Sequence, residues 1–99
     1  ATTPVKIGLQ NPYGWAGYAL NGHLFLKRFS WDGSMQYPDF NCNCEIYTNS
    51  EILEVETLAP LQELATGASI THIEEWEVFD NIPTPESNGE IDQNILPLI

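Results

Sequence analysis

Apolar and polar residues alternate along much of this chain, as they do in β-strands that turn one side to water. The clearest case is a pair of runs at residues 15–20 and 23–30, which flank Asn21-Gly22. Asn-Gly is the preferred dipeptide of a tight type I′ turn, because both of its residues must adopt a positive φ. The pattern therefore predicts an antiparallel hairpin in which Leu20 lies opposite His23.

A second hairpin is predicted around Asn49-Ser50, taken as a two-residue turn. This register sets Glu45 opposite Glu54 and Asn43 opposite Glu56. Alternation then gives the hairpin one apolar side and one polar side. The apolar side carries Cys44, Ile46, Leu53 and Val55, and the polar side carries Asn43, Glu45, Tyr47, Ile52, Glu54 and Glu56.

The polar side of the second hairpin gathers three glutamates on one surface. Like charges opposite each other destabilise a sheet, so the cluster requires solvent, a cation, or a proton held at a raised pKa. One interpretation is a binding or catalytic surface. The other is a solvated outer face, because antiparallel sheets commonly turn one side to water.

Further strands are predicted at residues 5–9 and 69–80, with turn-forming residues between them. Residues 31–40 are predicted as a loop whose aromatic rings either plug one end of the fold or offer a flat platform to a sugar. Residues 81–99 are predicted as a Pro- and Asn-rich tail whose apolar end docks on the body or on a second molecule. Residues 1–80 then form one antiparallel β domain, an all-β sandwich of about six or seven strands with almost no helix.

The charge of the chain is strongly acidic and unevenly placed. Its 99 residues carry a net charge of -11, and from residue 45 onward there are 12 acidic residues and no Lys or Arg. Nucleic acid and anionic membranes are therefore excluded as expected partners, since both are bound through basic clusters. No apolar run approaches the roughly 20 residues that span a bilayer. The N-terminus also lacks the pattern of a signal peptide, which favours a cytoplasmic location.

Cys42 and Cys44 are two residues apart in a predicted strand, where the geometry disfavours a disulfide between them. They lack the second Cys or His pair of a zinc site. We interpret them as buried thiols, which suits a reducing compartment. No metal or other cofactor is predicted. Calcium alone is left open, because three carboxylates and an Asn offer oxygen ligands.

Residues 41–79 resemble the C-terminal part of galactose mutarotase-like proteins, and more closely an uncharacterised bacterial branch of that superfamily. The resemblance is carried by the runs NCNCEIYTNSEILEVETLAPL and LATGASITHIEEWEVF, in which Leu64, Gly67 and His72 match the family's turn into its last strand. The upstream run GWAGYALNGHLFLKRF and the terminal ILPLI are also similar. The resemblance implies a large antiparallel supersandwich that binds a carbohydrate on its concave face.

The resemblance also implies a general base at Glu56, with Glu54 as the fallback. Crowding by two other carboxylates would raise the pKa of such a base, as its role requires. The family's catalytic histidines precede the region matched here, and neither His23 nor His72 aligns with them. The chain is therefore expected to be inactive alone, and whether a parent protein is an aldose 1-epimerase-like isomerase is left open.

The main functional prediction is a carbohydrate-binding module, the C-terminal portion of an aldose 1-epimerase-like protein. Its predicted ligand-binding residues are Asn43, Glu45, Tyr47 and Glu54 on the polar side, Trp15 and Trp31 as stacking faces, and Lys27 as a counter-charge. The alternative is a structural β module without a ligand of its own. Its exposed strand edges would form a homo-oligomer or pair with a missing N-terminal half.

Overall fold

The computed structural model describes residues 2–99 and contains two antiparallel sheets of three strands each. The strands are β1 (Val5–Leu9), β2 (Trp15–Leu20), β3 (His23–Arg28), β4 (Cys44–Thr48), β5 (Leu53–Thr57) and β6 (Glu75–Asp80). Sheet 1 has the order β1-β4-β5, and sheet 2 has the order β2-β3-β6. The prediction of a mostly β chain with about six strands is confirmed.

Sheet 2 is built on the hairpin that Asn21-Gly22 predicts. Both turn residues have positive φ, 52° and 80°, and Leu20 pairs with His23. Strand β6 adds to the other edge of β3. Leu24 and Leu26 alternate along β3 and are almost completely buried, so the main core lies on this side of sheet 2.

The C-terminal segment covers that side of sheet 2 and contains a helix, which corrects the expectation of almost no helix. The helix is α2 (Asn88–Asn94), followed by a 3-10 turn at Leu96–Leu98. Ser87 caps α2 by accepting a hydrogen bond from the Glu90 N–H at 3.2 Å. The Ser-x-x-Glu capping pattern was the sequence signal for this helix.

The apolar end of the chain docks on the body, which was one of the two predicted outcomes. Ile91 lies on α2, and Ile95 is the C-cap residue of the same helix. Together with Trp15 and Leu24 they line a small apolar cavity. Ile95 is buried. No helix within residues 2–99 has the length and apolar character needed to cross a bilayer.

The β4–β5 hairpin has a different register from the predicted one. Glu45 lies opposite Glu56, and Tyr47 lies opposite Glu54. The predicted pairing of Glu45 with Glu54 is therefore wrong by two residues. A shift of two preserves the alternation, so the predicted apolar and polar sides of these strands remain as they were.

The cause of the shift is Asn49, which builds a longer loop than the predicted two-residue turn. Its side-chain Oδ1 accepts hydrogen bonds from the N–H groups of Glu51 at 2.8 Å and Ile52 at 2.9 Å. The Asn49 N–H donates to the Ile52 carbonyl at 3.1 Å. Asn side chains commonly close turns in this way, and this one closes a loop of four residues.

Two other segments differ in part from the predictions. The last strand begins at Glu75, so the predicted strand over residues 69–80 is only half formed. The loop over residues 31–40 plugs the fold through Trp31 and Tyr37, whose rings stack at 4.7 Å. Tyr37 is buried, and its hydroxyl accepts a hydrogen bond from the Asp32 N–H at 2.9 Å. The same loop ends in a single turn of left-handed backbone, α1 (Pro38–Asn41).

A polar network that we call the joint network connects the two sheets. It consists of Lys27, Thr57, His72, Glu74 and Trp76. Lys27 is buried on β3, and its Nζ donates to the Val55 carbonyl on β5 at 2.9 Å. The same Nζ forms an ion pair with Glu74 at 2.9 Å. Glu74 also accepts hydrogen bonds from the Thr57 hydroxyl and the Trp76 indole, and His72 bonds to Thr57.

The two cysteines are buried and free, as predicted. Burial raises the pKa of the Cys42 thiol, and the nearby carboxylates of Glu45 and Asp39 raise it further. Burial also raises the pKa of Cys44. Thiols in this state remain protonated at neutral pH and are weak nucleophiles.

Candidate functional site

The polar side of sheet 1 contains a lysine that the sequence analysis did not assign to the site. Strand β1 pairs with β4 so that Lys6 lies opposite Tyr47, next to the Glu45–Glu56 pair. The Nζ of Lys6 is 2.9 Å from Glu45 Oε2 and 3.5 Å from Glu56 Oε2. The counter-charge predicted at Lys27 is thus supplied by Lys6.

Turn α1 brings a third carboxylate to this place, from Asp39. Three consecutive residues there, Asp39, Phe40 and Asn41, have positive φ values of 52°, 63° and 70°. Such runs of left-handed non-glycine residues are strained and persist only when neighbouring contacts hold them. The Asn41 side chain accepts a hydrogen bond from the Tyr37 N–H at 2.8 Å, and the Cys42 N–H donates to the Pro38 carbonyl at 3.0 Å.

The strained turn has two consequences for the surface. The Phe40 ring is fully exposed, although a side chain of this size usually avoids water. Asp39 meets Glu45 at the floor of a cleft of about 490 Å³, which is lined by Lys6, Gly8, Asp39, Phe40, Cys42 and Glu45. This volume falls within the usual range for small-ligand sites.

We call Lys6, Asp39, Glu45 and Glu56 the cleft cluster, and its central member is Glu45. Glu45 is only 2% exposed. Its Oε2 is paired with Lys6, whereas its buried Oε1 receives no N–H or hydroxyl donor within residues 2–99. A buried acceptor without a donor is rare in folded proteins, because leaving it unsatisfied costs about 1–3 kcal/mol.

The pKa of Glu45 is raised. The main cause is the Asp39 carboxyl beside it, because two carboxyls hydrogen-bond to each other only when a proton lies between them. Lys6 acts in the opposite direction, and burial adds to the rise. The hydrogen bond to Glu45 raises the pKa of Lys6. The cluster therefore has three carboxyls served by one ammonium, and it can accept further hydrogen-bond donors.

Glu56, the predicted general base, belongs to the cleft cluster but is half-buried and held by Lys6. The pKa of its neighbour Glu45 is raised. The fallback residue Glu54 is exposed and lies opposite Tyr47 at the outer end of the polar side. Of the predicted site residues, the sheet thus brings Glu45, Glu56, Glu54 and Tyr47 to one surface.

Asn43 has a different role from the predicted one. It is completely buried, and its Oδ1 accepts a hydrogen bond from the Asn11 N–H at 2.7 Å. Its Nδ2 donates to the carbonyls of Asn11 at 2.9 Å and Ser30 at 3.2 Å. The amide group therefore ties two loops together, and ligand binding through it would break these bonds.

The other predicted residues lie away from the cleft cluster. Lys27 belongs to the joint network, and Trp15 lines the apolar cavity under α2. Trp31 stacks on Tyr37 and lines a second, open cleft of about 630 Å³. In that second cleft His72 is bonded to Thr57, so its ring is already engaged.

The calcium site left open by the sequence would use carboxylates of the same cluster. Within residues 2–99, no group of three His, Cys, Asp or Glu side chains is arranged to hold a metal ion. The ammonium of Lys6 lies between Glu45 and Glu56, where a cation bound by these carboxylates would otherwise lie. The predicted calcium option therefore has no ligand set here.

Sequence reasoning missed Lys6, Asp39 and Phe40, and three residues that it predicted as ligand-binding, Lys27, Trp15 and Trp31, lie elsewhere in the fold. Comparisons of the chain with protein-family models, with curated proteins and with solved structures give no match. The resemblance to galactose mutarotase-like proteins therefore stays a prediction, and the functional argument rests on the cleft itself.

Proposed function

We propose that this chain binds a carbohydrate in the cleft beside α1, with its two sheets forming an antiparallel sandwich around the joint network. The observation that carries the proposal is Glu45, a buried residue that lines the cleft and whose Oε1 receives no N–H or hydroxyl donor within residues 2–99. A sugar hydroxyl is a donor of the right size to reach it. Binding would then satisfy an acceptor that the folded chain leaves open.

The remaining groups of the cleft match the other properties of a sugar. Asp39 offers further acceptors for hydroxyl groups, and Lys6 has a third N–H beyond its two ion pairs. The exposed ring of Phe40 offers an apolar face against which the C–H side of a sugar ring can pack. A few converging polar groups beside an aromatic surface are typical of small-ligand sites.

The proposal concerns binding and not catalysis. General acid-base chemistry requires two positioned proton-transfer groups. The base predicted at Glu56 is paired with Lys6. Glu45, the carboxyl whose pKa is raised, is paired with the same lysine.

The test is a titration with neutral hexoses and disaccharides, followed by amide resonances. We expect shifts at Gly8 and within residues 39–45, the segment that contributes Asp39, Phe40, Cys42 and Glu45 to the cleft lining. The variant Glu45→Gln should weaken binding by about tenfold, the loss expected for one hydrogen bond to a charged acceptor. Phe40→Ala should weaken it by a smaller factor, because it removes contact area and no hydrogen bond.

Two matched controls separate the cleft from general surface effects. Glu75→Gln makes the same charge change in the other cleft, and Tyr13→Ala removes another highly exposed aromatic ring. Both controls should bind as the unmodified chain does. The proposal is wrong if a full screen of hexoses and disaccharides leaves the resonances of residues 39–45 unmoved.

A further inference from the structure

The chain exposes more surface than its size requires. Its accessible surface is 6914 Å², whereas a compact chain of 11.1 kDa exposes about 5,700 Å². Its radius of gyration is 15.5 Å, compared with about 13 Å for a compact domain of this length. The excess of roughly 1,200 Å² is of the order that one partner buries in a standard interface, about 800 Å².

Part of this excess is the apolar side of sheet 1, opposite the cleft cluster. The strand registers place nine residues on this side, and none of them is charged: Val5, Ile7, Leu9, Cys44, Ile46, Thr48, Leu53, Val55 and Thr57. Val5, Ile7 and Leu9 on β1 are each more than two-fifths exposed. In a chain of net charge -11, the exposed β1 part of this uncharged face is the surface best suited to association.

The edge strands of the two sheets differ in how many charged side chains they carry. Within residues 2–99, β1 pairs only with β4, so its other edge is open, and all five of its residues are exposed. Strand β1 carries Lys6 as its sole charge, whereas β5 and β6 at the other edges carry two and three acidic side chains. Charged side chains on an edge strand hinder edge-to-edge pairing. Of the four edge strands, only β2 carries fewer charges than β1. The edge of β2 lies next to β5.

We infer that β1 is a self-association edge, on which β1 of a second copy pairs in the antiparallel direction to join two copies of sheet 1 into one six-stranded sheet. A two-fold axis at Ile7 sets Val5 of each copy opposite Leu9 of the other, which continues the apolar side across both chains. The same register sets Lys6 opposite Gly8. No like charges then face each other across the new edge.

The overall charge gives this association a distinctive salt dependence. Two chains of net charge -11 repel each other at long range, while the paired edge itself contributes no ion pair between the copies. Added salt screens the repulsion and leaves the backbone hydrogen bonds and apolar contacts in place. The dimer should therefore become tighter as the ionic strength rises, the opposite of an interface held by salt bridges.

The test is sedimentation of the whole chain, without sugar, from low to high micromolar concentration and at two salt concentrations. We expect a monomer–dimer equilibrium that salt shifts toward the dimer. Ile7→Lys should weaken association more than about tenfold, because two lysines then meet at the axis. Ile73→Lys makes the same change at a residue that is 72% exposed and lines the second cleft, and it should leave the equilibrium unchanged.

Amide hydrogen exchange of the unmodified chain gives a second measurement that depends on no variant. Amides of β1 should gain protection as the protein concentration rises, while those of the β6 edge should not. The inference is overturned by a chain that stays monomeric over the whole range. It is also overturned if protection appears at β6 and not at β1, or if Ile73→Lys disrupts the dimer as much as Ile7→Lys.

Discussion

The protein contains two clusters in which a lysine is paired with glutamate, and they differ in how fully their carboxylate oxygens are hydrogen-bonded. In the joint network, Lys27 bonds to Glu74 and to the Val55 carbonyl, and both oxygens of Glu74 accept hydrogen bonds. In the cleft cluster, Lys6 serves two carboxylates, and Glu45 Oε1 receives no N–H or hydroxyl donor in the part of the chain that the structure describes.

The pKa directions follow the same division. Burial acts to raise the pKa of Glu74, but hydrogen bonds from Thr57 and Lys27 outweigh it, and the pKa is lowered. The pKa of Glu45 is raised, because Asp39 crowds it more than Lys6 relieves it. A network whose polar groups are all hydrogen-bonded stabilises the fold. A network with an unsatisfied group costs stability and leaves that group available to a ligand.

The largest expected effect comes from breaking the joint network. Lys27→Met removes the cation and leaves Glu74 and the Val55 carbonyl without their partner. We expect a loss of about 3 kcal/mol in the free energy of unfolding, as for other broken, largely buried ion pairs. Urea denaturation measures it. Lys6→Met is the matched control, and because Lys6 is half exposed its loss should be much smaller; equal losses would contradict the comparison.

A smaller effect of opposite sign is expected in the cleft cluster. Glu45→Gln supplies an amide donor toward Asp39 and removes one of the crowded charges. We expect this variant to gain about 1 kcal/mol in the free energy of unfolding at neutral pH, the usual worth of one hydrogen bond. Glu56→Gln makes the same chemical change beside the same lysine and should give no such gain. A destabilised Glu45→Gln variant would show that Glu45 serves the fold and not a ligand.

The smallest effect, and the sharpest in sign, is the pH dependence of stability. The pKa of Glu45 is raised above its ordinary value of 4.5, so its contribution is present below that pH and is lost as the pH rises through the folded value. The pKa of Glu74 is lowered from 4.5, so its contribution is present above that pH and is lost as the pH falls through the folded value.

Acidification from neutral pH should therefore add stability through Glu45 before it removes stability through Glu74. Denaturation midpoints of Glu45→Gln and Glu74→Gln over the acid range separate the two contributions. The first variant should lose the gain on acidification, and the second should lose the decline at lower pH. If both variants flatten the same part of the profile, the two clusters do not differ as described.

Local sequence patterns predicted much of the fold. Asn21-Gly22 fixed one hairpin with its register, and alternation assigned the two sides of β4 and β5 correctly, although the turn was two residues longer than predicted. The error had little effect, because a shift of two residues leaves each side chain on its own side. The capping pattern at Ser87 was a readable signal that the sequence analysis did not use.

The site was predictable only in part. Glu45 and Glu56 were expected on one surface because they belong to neighbouring strands of a single hairpin. Asn43 was expected beside them, yet its amide is used to join two loops. Nothing in the sequence around Asn43 distinguishes an amide that binds a ligand from one that replaces a backbone partner.

The sequence by itself determined which residues share a strand, which side of it each one takes, and that the chain would be acidic and mostly β. The tertiary structure alone decided that Lys6 pairs with Glu45, and that a strained turn brings Asp39 and Phe40 to the same cleft. Strand period and turn chemistry are set by neighbours along the chain. The partner of an edge strand and the path of a strained loop depend on contacts between distant segments, which a local pattern does not contain.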